Sequence, residues 1–457
     1  MGTTAELADF AANLRYDAIP DGVRAKAALA IIDSIGTVFA GLDEDSVRIA
    51  RDFMLRESAE GAATLIGLSR KASASAAALA NGAAAHALDY DSISLTVSGF
   101  IASPTLFSIL ALAERSGARV DGRRLVEAFV AGWEIEAAIA RGLGVLHYSK
   151  GWHSTATLGH FGAAVGGAKL LGLDADGIRS AIGLAASEAS GLRTMIGNMT
   201  NPFHVGKAAR NGVTAAALAA SGFRAEPNVI EHPYGVAVAF NGKGNFDLES
   251  MTDGLGEAWD LVDPGLVVKV YPCCGLVHSA IDAMLILREI EELRPEDVQT
   301  IDVAVHALVP PTMKFERPAS GYEAKFSTPF CMATALAEGA VRLEHFTDQR
   351  TRDPKLVQVM DTVSMRVHPD LTEASTFLEK EFSEVTVSTT DGRRRTQRVD
   401  RIANRGSRGN PADLALVSAK FEDCVGNHPG RTNAMRALEL LSQPTKLDDL
   451  RMVMELL

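Results

Sequence analysis

The spacing of apolar side chains over residues 1–265 constrains the fold of this chain more than any other feature. Apolar residues recur there at intervals of three and four, the period of an amphipathic helix. Alanine and glycine dominate these positions, so neighbouring helices can approach closely. The pattern predicts helices over residues 5–14, 23–40, 46–57, 73–88, 104–116, 121–141, 155–171, 174–190 and 205–221. Residues 1–265 are therefore expected to form a large all-helical unit.

The pattern changes after residue 265. Residues 300–307, 363–367, 383–388 and 398–402 alternate like strands, and Asp391-Gly392 is a typical hairpin turn. Helical spacing returns at 281–293, 329–339 and 354–361, and again in the tail at 414–421, 432–441 and 447–456. We expect a mainly α protein with two domains. An all-helical domain comprises 1–265 and 401–457, and a smaller α+β domain comprises 266–400.

Length and composition narrow the class of protein. A chain of 457 residues exceeds the size at which one core keeps growing. The net charge of −12 disfavours nonspecific nucleic-acid binding, which depends on neutralising phosphates. The N-terminus lacks the pattern of a signal peptide, and no apolar run is long enough for a membrane span. The expectation is a cytoplasmic protein without nucleic-acid or membrane partners.

The motifs for common cofactors are absent from the sequence. The four cysteines, at 273, 274, 331 and 424, lack the spacing of a zinc or iron–sulfur site. There is no Walker loop, no Gly-x-Ser-x-Gly elbow and no dinucleotide fingerprint after a strand. ATP chemistry, serine hydrolysis and nicotinamide redox chemistry are disfavoured, and neither a metal nor an organic cofactor is expected.

Reactive side chains are densest between Lys269 and His278, where a lysine, a tyrosine, two thiols and a histidine fall together. Pro272 biases Tyr271 away from helical backbone, and helical spacing begins at His278. The motif therefore spans a strand-to-helix junction, where side chains can converge on one cleft. The alternative is a solvated lysine followed by buried core thiols.

Three further segments carry candidate residues. His86 and Asp89 lie three apart at a helix end and share a face, although no third ligand supports a metal there. His153 precedes Ser154 and Thr155, natural N-caps of a helix whose N-terminus favours a carboxylate, and it is a candidate acid or base. The last segment places three basic residues on one helix face that suits an anion: His204, Lys207 and Arg210. Each segment also has a structural interpretation. His86 could be a buried core histidine, the loop at His153 could only cap a helix, and the basic face of the last segment could simply be solvated.

Six segments, in this order along the chain, resemble the MmgE/PrpD family of dehydratases, decarboxylases and epimerases. They are Asn81-Gly…His86-Ala-Leu-Asp89-Tyr-Asp91, Gly151-Trp-His153-Ser-Thr-Ala-Thr-Leu-Gly, Pro202-Phe-His204-Val-Gly-Lys-Ala-Ala-Arg-Asn-Gly212, Lys269-Val-Tyr-Pro-Cys-Cys…His278-Ser-Ala-Ile-Asp282, Glu323-Ala-Lys-Phe-Ser327 and Asn410-Pro…Lys420-Phe-Glu-Asp-Cys424. The resemblance implies a homodimer with its active site between a helical and an α+β domain. It also implies small polycarboxylate substrates, no cofactor, and proton abstraction next to a carboxylate.

The resemblance assigns catalytic roles to His153, Lys269 and Asp89. Four further residues are candidates for substrate binding: His86, Tyr271, His204 and Lys207. The chain departs from the family at Phe100, where members commonly have a histidine, and at Asn201, where they have a lysine. A further family histidine aligns near Cys274. Each charge-assisted contact to a carboxylate is worth about 1.5–3 kcal/mol, so a tricarboxylate is expected to bind less well here.

The leading hypothesis is a cofactor-independent lyase that dehydrates or decarboxylates a small hydroxy- or unsaturated carboxylic acid. His153, with an ordinary pKa near ~6.5, would be the general acid/base. Lys269 would hold a substrate carboxylate or stabilise developing charge, and Asp89 would orient a histidine or accept a proton. The first alternative is an epimerase of an iminodisuccinate-like dicarboxylate. The second is a catalytically lapsed homologue that only binds carboxylates.

Overall fold

The computed structural model describes residues 2–58, 60–372, 381–407 and 409–457. The α-helices are α1 (Thr3–Asn13), α2 (Asp21–Gly41), α3 (Asp45–Glu57), α4 (Ala74–His86), α5 (Ala102–Ser116), α6 (Gly122–Ser149), α7 (Ser154–Thr157), α8 (Gly159–Leu170), α9 (Ala175–Glu188), α10 (Thr200–Ala220), α11 (Val236–Asn241), α12 (Glu249–Thr252), α13 (His278–Ile290), α14 (Gly321–Ala324), α15 (Thr328–Glu338), α16 (Pro354–Met360), α17 (Leu414–Val425), α18 (Arg431–Leu441) and α19 (Arg451–Met454). The strands are β1 (Ala63–Thr64), β2 (Lys71–Ala72), β3 (Ile93–Ser94), β4 (Leu266–Val267), β5 (Val298–Val305), β6 (Val363–Val367), β7 (Phe382–Thr389) and β8 (Arg394–Asp400). The predicted fold class, mainly α with a smaller α+β part, is confirmed.

Several helix predictions need correction. The helix predicted at 447–456 is only α19, and the helix predicted to end at 141 continues to Ser149. The helix predicted at 155–171 is two helices, α7 and α8, which meet at Leu158. The helix predicted to begin at 205 begins at Thr200 instead. Pro202 is tolerated there because the first turn of a helix needs no backbone N–H donors within the helix.

The buried apolar side chains form two main cores. One core is built from residues between 7 and 268 together with the tail residues 412–454. The other is built from residues 271–399 and Ile196. The tail joins the first core through α17, where Lys420 Nζ lies 2.7 Å from Asp33 Oδ1 and donates to the Tyr90 carbonyl at 2.6 Å.

Among the described residues no single helix is long and apolar enough to cross a membrane. One pair of helices, α2 with α3, is long and apolar enough when the two are taken together, but the pair is bent by 94°.

Glycines allow α4 and α10 to cross at close range. A Cβ atom on Gly206 would lie 2.2 Å from the Leu79 carbonyl oxygen, and one on Gly82 would lie 3.0 Å from the Gly206 Cα. Any side chain at Gly206 would push the helices apart. The two helices run antiparallel, so the C-terminal end of α4 lies beside the N-terminal end of α10. This crossing brings His86 next to Asn201.

The four-stranded sheet has the order β6-β5-β7-β8. Strands β5 and β6 are parallel, whereas β5/β7 and β7/β8 are antiparallel. The turn between β7 and β8 contains Gly392 with φ +88°, which confirms the hairpin predicted from Asp391-Gly392. Helix α13 packs against β7 and β8, and α15 packs against α13 and β6. Helix α13 begins at His278, where the sequence predicted its start.

A buried carboxyl group in α6 makes the stability of the helical core depend on pH. Glu136 is fully buried, and neither of its carboxyl oxygens has a hydrogen-bond partner. Burial, with the nearby Asp260 carboxyl as the second cause, raises the pKa of Glu136 well above its ordinary value. The folded protein therefore keeps Glu136 protonated to a higher pH than the unfolded chain does. Its contribution to stability is complete below the unfolded pKa and is lost as pH rises toward the folded pKa.

We expect Glu136→Gln to remove this pH dependence. The free energy of unfolding of the variant, relative to the parent, should be higher at pH 8 than at pH 4.5 by about 1 kcal/mol or more. Denaturant unfolding at the two pH values measures this difference, and comparing them cancels any pH-independent packing change. An equal effect of the substitution at both pH values would contradict a raised pKa of Glu136 in the folded protein.

Candidate active site

An open cavity lies between the two cores. Its volume is about 610 Å³ when the space at its mouth is included. The charged, polar and aromatic side chains in its walls that matter for its chemistry are Asp89, Phe100, His153, Asn201, Lys269 and Arg401. The fold thus brings the three residues predicted to be catalytic to one cavity, although they are up to 180 positions apart in the chain.

A buried ion pair lies in the cavity wall. Lys269 Nζ is 2.9 Å from Asp89 Oδ1 and donates to the Asp89 backbone carbonyl at 2.8 Å. Lys269 is 1% exposed and Asp89 is 3% exposed. Two buried charges hold such a geometry only when each has its partner. The other carboxyl oxygen of Asp89, Oδ2, is a buried atom without a hydrogen-bond partner.

Local backbone geometry brings the two residues together. Strands β3 and β4 pair antiparallel, with Ile93 opposite Val267, so the loop after α4 lies beside the segment after β4. Asp89 has φ +51°, in the left-handed region where aspartate is among the tolerated residues. The reversal at Asp89 turns both its carbonyl and its side chain toward Lys269. The sequence patterns did not predict these two-residue strands.

Phe100 occupies the position where the family commonly has a histidine. Its ring centroid lies 4.9 Å from Lys269 Nζ and 4.1 Å from the centroid of the His86 imidazole. A cation near an aromatic ring is attracted by the ring quadrupole. Phe100 therefore packs against the lysine and the histidine, and it supplies no ionisable group to the cavity.

His153 lies at the N-cap position of α7, one residue before the N-caps expected from the sequence. Its backbone N–H donates to the Gly191 carbonyl at 3.1 Å, and its Nδ1 lies 2.9 Å from Nδ1 of His204. Burial, followed by the effect of His204, lowers the pKa of His153 well below its ordinary value. The expectation of a pKa near 6.5 is therefore corrected. His153 is neutral at physiological pH.

His86 lies behind the cavity wall, in a buried polar network. Its Nδ1 is 2.8 Å from Asp91 Oδ1, and Ser103 donates to Asp91 Oδ2 at 2.8 Å. On the other side, Asn201 Nδ2 lies 3.2 Å from His86 Nε2. With an ionised Asp91, which can only accept hydrogen bonds, His86 carries its proton on Nδ1 and accepts from Asn201. Asn201 thus replaces the family lysine with an uncharged amide that is held in place by this network.

Arg401 is a cavity residue that the sequence analysis missed. It follows β8 directly and forms an ion pair with Glu381. Burial raises the pKa of Glu381 to about 7, and the Arg401 guanidinium opposes this shift. No motif in the sequence pointed to Arg401. Its position at the cavity depends on where β8 ends in the folded sheet, which the local sequence pattern does not show.

All four residues predicted to bind substrate lie outside this cavity, and His86 lies behind its wall. The Tyr271 hydroxyl donates to Asp282 Oδ1 at 2.5 Å and lines a different cavity. Lys207 Nζ donates to the Ser190 carbonyl at 2.6 Å, and His204 lies behind His153. The interpretation of these four residues as direct substrate contacts therefore receives no support from the geometry.

A buried thiol, Cys274, and a second buried lysine, Lys325, also lie in or near the cavity wall. Cys274 lines the cavity, and burial raises the pKa of its thiol to about 12, so it is not a thiolate. Lys325 Nζ donates to the Pro272 carbonyl at 2.8 Å, and burial lowers the pKa of this lysine to about 8. Within the described ranges, no three histidine, cysteine or acidic side chains are arranged so that they could hold a metal ion.

Comparison with known proteins covers most of the chain. The MmgE/PrpD N-terminal domain matches residues 5–249, and the MmgE/PrpD C-terminal domain matches residues 271–443. A cis-aconitate decarboxylase of Aspergillus terreus is 29% identical over 372 residues, which cover 76% of this chain and 74% of that protein. The human cis-aconitate decarboxylase is 24% identical over 401 residues, covering 85% of this chain and 80% of the human protein. A cis-aconitate decarboxylase-like protein of Aspergillus oryzae, oryM, is 27% identical over 371 residues, with 75% of each chain covered.

Proposed function

Because the chain belongs to the MmgE/PrpD family, we propose that it is a carboxy-lyase that releases CO₂ from a small unsaturated polycarboxylic acid. The observation that carries the proposal is the buried Lys269–Asp89 pair in the same cavity as a neutral His153. The names of the relatives favour decarboxylation over loss of water or epimerisation. Those two reactions are the alternatives that the experiment below separates.

Lys269 and His153 would divide the work of the reaction. Loss of CO₂ next to a conjugated double bond leaves an electron pair on the substrate. A proton must then be added to a substrate carbon to complete the reaction. Lys269 would hold a retained carboxylate and stabilise the charge that develops on it. His153 would donate the proton as general acid. Asp89 would fix the position of the Lys269 ammonium group, which its carboxylate and its backbone carbonyl both contact.

The charges in the cavity favour a substrate with two carboxylates. Among the described residues, the cationic side chains that line the cavity are Lys269 and Arg401, and each is paired with an acidic side chain. Phe100 and Asn201 supply no cation where the family commonly has a histidine and a lysine. A third substrate carboxylate would lose contacts worth about 1.5–3 kcal/mol each. We therefore expect unsaturated dicarboxylates to react with a higher kcat/KM than cis-aconitate.

Turnover of a panel of di- and tricarboxylates in D₂O tests the proposal. The expected result is CO₂ release with one solvent deuterium on the product carbon, and a kcat/KM for the best dicarboxylate about tenfold or more above that for cis-aconitate. A matched control is Lys269→Met, which should release CO₂ at least about 10²-fold more slowly than the parent.

Other outcomes identify the alternatives. Water loss without CO₂ would contradict decarboxylation in favour of a hydro-lyase. Deuterium uptake with inverted configuration would indicate an epimerase. Thermal stabilisation by carboxylates without any turnover would indicate a lapsed homologue. The homodimer and the cytoplasmic location stay predictions.

A further inference from the structure

Three buried oxygen atoms at the cavity have no hydrogen-bond partner among the described residues. They are Oδ2 of Asp89, Oδ1 of Asn201 and the hydroxyl oxygen of Tyr322. Asp89 and Asn201 both line the cavity and are 3% and 2% exposed. Buried polar groups in native proteins nearly always have a hydrogen-bond partner. Unpartnered atoms in the wall of a cavity therefore indicate the chemistry of the group that the cavity binds.

The three side chains are neighbours. Nε2 of His86 lies 4.0 Å from Asp89 Oδ1 and 3.2 Å from Asn201 Nδ2, so the carboxyl and the amide flank the same ring nitrogen. Burial raises the pKa of Tyr322, Asn201 opposes this rise and the nearby Asp89 adds to it. Asp89, Asn201 and Tyr322 therefore form one group, which we call the acceptor cluster.

Contacts behind the cavity wall decide which end of the Asn201 amide is free. Nδ1 of His86 lies 2.8 Å from Asp91 Oδ1 and carries the hydrogen of the imidazole, so Nε2 accepts. Asn201 must then turn Nδ2 toward His86, which leaves Oδ1 as the free end of the amide. The Asp89 carboxylate gives Oδ1 to Lys269 and keeps Oδ2 free in the same way.

The acceptor cluster has more hydrogen-bond acceptors than hydrogens. A carboxylate oxygen and an amide oxygen can only accept, whereas a tyrosine hydroxyl has one hydrogen to donate. When Tyr322 donates to Asp89 or to Asn201, the other of these two still lacks a donor. A ligand group that contacts the cluster must bring one hydrogen of its own, and a carboxylate cannot do so.

The charge beside the cluster selects a neutral donor. Lys269 Nζ already lies 2.9 Å from the Asp89 carboxylate, so an ammonium group of a ligand would be placed next to a second cation. A hydroxyl group brings one hydrogen and no charge. Its hydrogen and that of Tyr322 then serve the two free oxygens, one each.

We infer that the acid handled by this chain carries a hydroxyl group, which donates to the acceptor cluster in place of a third carboxylate. This inference rests on the proposed function, in which the acid has two carboxylates. The hydroxyl keeps its bonds during the reaction and orients the acid in the cavity. Asn201 is thereby a specificity-determining residue, because a site built to hydrogen-bond a hydroxyl discriminates strongly against an analogue that lacks it.

Four saturated acids test the inference without any turnover, since they lack the double bond that loss of CO₂ requires. They are succinates that differ only in one substituent: methyl, hydroxymethyl, aminomethyl or carboxymethyl. Calorimetric titration of the parent protein is expected to give hydroxymethylsuccinate the lowest Kd of the four. Its Kd should be about tenfold or more below that of methylsuccinate, the usual effect of one hydrogen bond to a charged group.

The other outcomes of this titration overturn the inference. Equal Kd values for the methyl and hydroxymethyl acids, or no binding of the hydroxymethyl acid, would show that the cluster selects no hydroxyl. A lowest Kd for the aminomethyl acid would indicate that the cluster binds an ammonium group. A lowest Kd for the carboxymethyl acid would indicate a third carboxylate.

A substitution tests the role of Asn201. Asn201→Leu removes the amide oxygen, so the ratio of the Kd of methylsuccinate to that of hydroxymethylsuccinate should fall about threefold or more. The matched control is Asn211→Leu, which should keep the ratio of the parent. Asn211 is on the same helix and also buried, and its Nδ2 lies 3.1 Å from His160 Nε2, but it does not line the cavity. An unchanged ratio in Asn201→Leu would overturn the assignment of Asn201.

Binding and reaction can fail separately. If the hydroxymethyl acid binds as expected but no acid in the turnover panel releases CO₂, the proposed decarboxylation is wrong and the hydroxyl site stands. If CO₂ is released but the hydroxymethyl acid has no advantage over the methyl acid, the inference is wrong and the proposed function stands.

Discussion

Replacing Lys269 by methionine is expected to lower the rate of turnover strongly and to destabilise the protein. The catalytic loss should be about 10²–10³-fold or more, because a single preorganised group that stabilises developing charge is worth that much. The substitution also leaves the Asp89 carboxylate buried without its cation. Breaking one side of a buried pair typically costs about 3–5 kcal/mol of unfolding free energy.

A double variant separates the two effects. Lys269→Met combined with Asp89→Asn removes both charges, and asparagine tolerates the left-handed backbone that Asp89 adopts. We expect the double variant to recover most of the lost stability and none of the activity, as measured by denaturant unfolding and by CO₂ release. Activity above about one tenth of the parent in the stable double variant would remove Lys269 from the mechanism.

Replacing His153 by glutamine is expected to lower kcat by about 10²–10⁴-fold, the usual value of a general acid or base. Glutamine keeps a hydrogen-bonding group beside His204 but cannot transfer a proton. His147→Gln is the matched control, since His147 is also buried and contacts Thr157 through Nε2 but does not line the cavity. Comparable losses in the two variants would indicate a structural effect and not acid catalysis.

The pH profile gives an independent check on His153. Its pKa is held well below the ordinary value by burial and by His204, so the neutral form persists as pH falls through 6.5. We expect kcat/KM to show no ionisation of His153 between pH 6 and pH 8. A histidine titration near 6.5 that disappears in His153→Gln would show that the cavity is wetter than its geometry indicates.

Helical periodicity made the larger part of the fold predictable from sequence. Apolar spacing located most of the helices, and the alanine and glycine content anticipated close crossings such as Gly82 against Gly206. The hairpin at Asp391-Gly392 was predictable for the same reason, since the residues that determine it are adjacent in the chain. In each case the structure is determined mainly by residues close together in the chain, so the sequence pattern is enough to predict it.

Contacts between distant segments were not predictable in this way. The β3–β4 pairing is too short to leave a pattern, yet it joins Asp89 to Lys269. Arg401 reaches the cavity through the end of β8. Tyr271 has an ionisable hydroxyl and lies in the same motif as Lys269, but its hydroxyl donates to Asp282 and not into the cavity. Side-chain direction depends on the packing around each residue, which one-dimensional spacing does not contain.

The sequence by itself determined the helical architecture, the family and the candidates Asp89, His153 and Lys269, because periodicity and motifs are local properties of the chain. Only the tertiary structure decided how these residues lie relative to one another. It buried Lys269 against Asp89, placed Phe100 beside them, and put His204 behind His153. Burial and proximity set the charge and proton state of each group, and both arise only when segments far apart in sequence meet.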